Sequence, residues 1–178
     1  MHSGRSPLVT RSAVIRLAIA ALLLTIGGTA GACGGSGGPS LEGYFKRLDV
    51  LNENLATQLE GLETEFPQAF VEPSATLDYY TKLNEADGEY LQQLNDVDVP
   101  TKVAEVHGQF ARAKASLHFL RDRLLVKLAE VKSAAELQQV LDTNKPDPSV
   151  VEKGISACLE LQQIADSSGI DVKLDCTA

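Results

Sequence analysis

From Leu41 onward the apolar side chains recur in steps of three and four. Leu41, Tyr44, Leu48, Leu51, Leu55, Leu59, Leu62 and Phe66 fall on one face of a 3.6-residue helix, with acids and amides between them. Pro67 and Pro73 bracket a turn, and a second stripe of Leu77, Tyr80, Leu83, Tyr90, Leu94 and Val97 predicts a helix over about 74–96. Pro100 suits a first helical position. The stripe after it is the longest: Val103, Val106, Phe110, Ala113, Leu117, Leu120, Leu124, Leu128 and Val131, a run of roughly 45 Å at the helical rise. Ser133-Ala134-Ala135-Glu136 has capping-box spacing, so a short helix restarts there and ends near Asp142. Residues 143–149, with Pro146 and Pro148, read as a loop. A last helix turns Val151, Ile155, Cys158, Leu161 and Ala165 inward and stops at Gly169, a residue suited to a left-handed cap.

Beyond Gly169 the period changes from 3.6 to 2. Ile170, Val172, Leu174 and Cys176 alternate with Asp171, Lys173 and Asp175, the pattern of an extended segment with one buried face. The expected architecture is all-α: an antiparallel helical bundle of four main helices plus one short helix over 41–178, with an extended C-terminal tail. The competing arrangement is an elongated three-helix hairpin with the fourth helix loosely docked.

The residues before Leu41 follow different rules. Arg5, Arg11 and Arg16 make the start basic and acid-free, and residues 17–26 form an apolar stretch of signal-peptide length. A spanning helix needs about 20 apolar residues, and Gly27, Gly28, Thr29 and Gly31 dilute this run before it reaches that length. No Arg-Arg pair marks the twin-arginine route. The chain then reads Thr29-Ala30-Gly31-Ala32-Cys33-Gly34-Gly35-Ser36-Gly37-Gly38-Pro39. Small residues leading into a Cys, followed by a glycine-rich tether, resemble the lipobox of bacterial lipoproteins, with Ala30 standing where Leu or Val is usual. The resemblance implies a signal peptide over 1–32, a Cys33 acylated with palmitate-type chains, a linker over 33–40, and an extracytoplasmic domain anchored to membrane lipid. Two or three acyl chains give stable anchoring where one does not. Ala30-Gly31-Ala32 is also a site for ordinary signal peptidase, which would leave a secreted form with a free Cys33. In leader, helical patterning and cysteine ending, the chain is similar to the small helical lipoproteins of bacteria, a resemblance that carries no activity with it.

Export implies an oxidising compartment. Of three cysteines, the lipobox accounts for Cys33 and leaves Cys158 and Cys176 as a pair. The lengths fit: the last helix climbs about 15 Å after Cys158, and the extended tail returns roughly 20 Å. Closing a loop of this size stabilises the fold by about 3 kcal/mol in the chain-entropy account.

Composition narrows the function. The formal net charge is -8, and the leader removes three of the 16 basic residues and none of the 24 acids, so the exported domain is more acidic still. That excludes a nucleic-acid partner, which requires a Lys/Arg-rich face. The chain has no Trp, no Met after the first residue, and only 4 Tyr and 5 Phe, which leaves little for stacking sites. No G-x-S-x-G, H-E-x-x-H, P-loop or dinucleotide fingerprint occurs after the leader, and the acids Glu60, Glu63, Glu65, Glu85, Asp87 and Glu89 fall at solvent-facing positions. The expectation is a non-catalytic domain, without cofactor, that acts on an unknown protein partner. His107 and His118 lie about 16 Å apart on one side of the third helix, too far to share a metal, and each is preceded at three residues by Ala instead of Glu. With Lys114 and Arg121 they form a mildly basic strip. It reads either as a docking line for an acidic partner or as flanking side chains that cover the core edge and pair with a neighbouring helix. Residues 66–71, Phe-Pro-Gln-Ala-Phe-Val, are expected to plug one end of the bundle; the other possibility is an exposed contact patch. The alternative function is a small-molecule or metal-binding bundle, for which Gly88, Ala113 and Gly154 are the positions able to leave space on the seam.

Overall fold

The computed structural model describes residues 38–176. The expected signal peptide, Cys33 and the first part of the expected linker lie outside the described residues. Within them the chain forms five α-helices: α1 (Leu41–Glu65), α2 (Pro73–Asn95), α3 (Ala104–Leu128), α4 (Ala134–Thr143) and α5 (Pro148–Ser167). Each start has a local cause. Ser40 Oγ accepts from the Gly43 N–H at 3.0 Å, Pro73 and Pro148 occupy first-turn positions, and Asp147 accepts from the Ser149 N–H at 2.8 Å. The capping box at α4 is present: Ser133 Oγ accepts from the Glu136 N–H at 3.3 Å, and the Glu136 carboxylate accepts from the Lys132 N–H at 2.8 Å.

The third helix departs from expectation at both ends. Pro100 is extended and precedes a single 3-10 turn, Thr101–Val103, so it does not begin the α-helix. At the other end α3 stops at Leu128, about 37 Å from its start. Val131 still packs inward, but on the chain reversal into α4. The reversal shortens the helix because Val131 and Leu137 must reach the same small cluster.

α1, α2 and α3 run up, down and up, and α5 descends alongside α3. α5 is firmly seated: Ala157, Cys158, Leu161 and Ala165 are buried in the main core with Phe45, Leu48, Leu51, Leu94 and Val103. The antiparallel bundle is therefore the architecture, and the loosely docked fourth helix is not. α5 covers only the first half of α3. Over the second half sits α4, with Leu124, Leu128 and Leu137 forming a separate, smaller cluster edged by Leu77, Tyr80 and Val140.

α5 ends as the sequence predicts. Gly169 has φ +69°; its N–H reaches Asp166 O at 3.1 Å and that of Ile170 reaches Ala165 O at 3.0 Å, a Schellman closure. The tail then buries Val172 and Leu174 and exposes Asp171, Lys173 and Asp175. It pairs with no strand among the described residues; instead the Gln162 side chain supplies both partners, donating to Val172 O at 3.0 Å and accepting from the Leu174 N–H at 2.7 Å. Cys158 and Cys176 are disulfide-bonded, with Cα atoms 5.5 Å apart.

Candidate functional site

The four residues of the basic strip lie on α3 as the spacing requires, but each is engaged within the fold. His107 is buried, its Nδ1 3.0 Å from the Tyr44 hydroxyl on α1. Burial lowers the His107 pKa and raises that of Tyr44, so a neutral imidazole accepting the phenolic proton satisfies both groups. Lys114 lies over the Phe110 ring, its Nζ 5.7 Å from the centroid. Burial pushes its pKa down, and Asp175 of the tail opposes that shift. Arg121 pairs with the buried Asp87 of α2; burial lowers its pKa, and Tyr80 and Tyr79 act against this. His118 packs over Gly88, 3.4 Å from where a Cβ would stand, and faces Asp122 at 4.0 Å. Asp122 in turn accepts from Asn84 Nδ2 at 2.7 Å. The arrangement is thus an internal polar seam, with α2, α1 and the tail supplying the partners, and not an open basic line. Asp87, expected at the surface, is the one helix-two acid drawn inside. A periodicity reading has no way to show that Arg121 of α3 lies opposite it.

Where α3 meets α5 and the tail there is no room for a ligand. The cleft between α3, α5 and the tail, lined by Phe110, Ala113, Ile155, Cys158 and Cys176, holds about 20 Å³, enough for one water. Gly154 and Ala113, positions able to leave a cavity, instead let two helices touch: a Cβ on Gly154 would stand 3.2 Å from that of Ala113. Among the described residues no group of three or more His, Cys, Asp and Glu side chains is placed to hold a metal ion.

Residues 66–71 behave differently from the expected plug. Ala69 is buried and Phe66 half-buried, but Phe70 and Val71 are 57% and 60% exposed. The ring of Phe70 stands edge-on to Tyr79 and Tyr80, with centroids 5.4 and 6.4 Å away, and Phe66 meets Tyr79 at 6.3 Å. The four rings form one aromatic platform, held from below by α2 and open above at Phe70 and Val71. Two prolines and the three-residue turn bonds of Ala69 to Phe66 and Val71 to Gln68 hold its backbone. This platform is the candidate site: preformed, and apolar on its open side at Phe70 and Val71. Comparison with known protein families, curated proteins and solved structures returned no match.

Proposed function

We propose that this chain is a non-catalytic, lipid-anchored extracytoplasmic protein that acts through protein contacts made by the aromatic platform at residues 66–71. The supporting observation is polarity. The linker enters at Leu41, the start of α1, whereas Phe70 and Val71 lie beyond its far end, about 37 Å away. A tether of glycines at one end and an exposed, rigid apolar surface at the other suit a domain that presents that surface to a partner away from its anchor.

Two experiments test the two halves of the reading separately. Cys33→Ala should move the protein out of the membrane fraction; if the variant stays there to the same extent as the parent, the anchor is wrong. Photo-crosslinking from position 70 in intact cells should capture one specific protein, and Phe70→Ser with Val71→Ser should abolish capture while leaving the fold intact, because both side chains are exposed. Capture that survives the double substitution overturns the platform as the contact surface.

A further inference from the structure

Charge is segregated among the helices. α1 and α2 together hold ten acidic and three basic residues, whereas α3 holds five basic and two acidic. With Lys114 and Arg121 turned inward, Arg112, Arg123 and Lys127 are the exposed cations of α3. Arg112, Ser116, Phe119, Arg123 and Val126 follow in steps of four and three, so they share one outer stripe, and all five are exposed. The stripe is bounded by Glu105 two turns before it and Glu130 just past the helix. Phe119 and Val126 are 60% and 69% exposed, the two most exposed large apolar side chains among the described residues together with Val71. Arg112 and Arg123 form no ion pair among the described residues. Beside the stripe an open apolar groove, floored by Leu120 and Val150, carries Lys145 on its far rim, paired with Asp142 at 3.0 Å, and Asp147, which caps α5.

Bulky apolar side chains alternating with unpaired arginines match an anionic bilayer surface. The ring and branched chain enter the acyl boundary while the guanidiniums remain among the phosphates. The bilayer is also within reach. Tyr44 and His107 are hydrogen-bonded, so the starts of α1 and α3 lie at the same end, and the stripe begins about 12 Å along α3. A linker over 34–40 extends up to about 24 Å.

We infer that the outer face of α3, centred on Arg112, Phe119, Arg123 and Val126, is a second membrane contact that lays the domain along an anionic lipid surface. The inference rests on the proposed anchor, since the tether is what brings a bilayer to this face, while the affinity of the face itself is what the untethered chain reports. The test uses the full chain carrying Cys33→Ser, recovered without acyl chains, in sedimentation with vesicles of 30% phosphatidylglycerol in phosphatidylcholine and with phosphatidylcholine alone. Binding should require phosphatidylglycerol and weaken with salt. Each arginine near such a surface is worth about a factor of five in partition, so Arg112→Glu with Arg123→Glu should lower binding about 25-fold or more, and Phe119→Ser by severalfold, with helical content unchanged. Equal binding to both vesicle types, no binding to either, or an unchanged double variant overturns the inference. So does a concentration-dependent dimer abolished by the same substitutions, which assigns the stripe to the acidic α1–α2 face of a second copy. None of these outcomes touches the anchor, which Cys33→Ala fractionation in high salt decides independently, because salt screens the charged face and leaves acyl insertion in place.

Discussion

The two ends of the bundle are built on different principles. At the end where α1 begins, four helices and the tail converge on Phe45, Leu48, Leu51, Leu94, Val103 and Leu161, and a disulfide and the Gln162 side chain hold the tail against them. At the far end only three leucines are buried in the cluster, α4 is a ten-residue lid, and much of the remaining contact is polar, through Asp87, Arg121, Asn84 and Asp122. One end is closed by covalent and apolar means; the other is closed just enough to support an exposed aromatic platform. The difference shows where the stability of a small helical domain can be concentrated so that an apolar platform need not be buried. It also predicts that opening begins at α4 and proceeds toward the end where α1 starts.

Substitution in the two clusters is the sharpest way to break this comparison. Phe45→Ala empties the centre of the larger core and should cost about 3–5 kcal/mol, whereas Leu137→Ala in the smaller one should cost about 2–3 kcal/mol. Chemical denaturation gives the totals, and hydrogen exchange should show the first loss as global and the second as confined to α4 and the end of α3. Equal costs with equally global exchange would show that the ends are not distinct units.

Removing the staple is the next test. Cys158→Ser with Cys176→Ser should lower stability by about 3 kcal/mol. Amides of the tail should exchange faster while those of α4 are unchanged. If the tail stays protected, Gln162 and the burial of Val172 and Leu174 suffice to hold it.

The smallest effect belongs to pH. Burial holds His107 below the usual imidazole value of about 6.5. The unfolded chain therefore takes up a proton near that pH and the folded chain does not, so stability is intact above it and falls as pH drops through about 6.5 toward the lower value of the folded imidazole. The loss cannot exceed about 1.4 kcal/mol per pH unit, the linkage slope for a single proton. His107→Gln should flatten that slope whatever its effect on overall stability. An unchanged slope would place the proton uptake elsewhere.

Much of this fold is legible from local pattern. The helical stripes, the capping box at Ser133, the left-handed Gly169 and the alternating tail each depend on residues within a few positions of one another, and each is present in the structure. The pairing of Cys158 with Cys176 needs only two element lengths and so is legible too. What local pattern misses is which side of a helix faces a neighbour of opposite charge. Asp87 looks like a surface acid beside Glu85 and Glu89, and Arg121 looks like one of a basic strip, until α2 and α3 are placed against each other. Phe119 and Val126 are likewise invisible as an exposed stripe when only the inward face of α3 is counted, and Gln162 gives no sign that it replaces a missing strand. The sequence by itself determined the number and type of elements, their order, and the chemistry that joins the tail to α5, because hydrophobic period, caps and cysteine spacing act over short chain distances. Only the tertiary structure decided which polar groups would be buried as partners, where small residues would close the seam instead of opening a cavity, and that Phe70 and Val71 would remain outside, because burial is a property of the faces that helices turn toward one another.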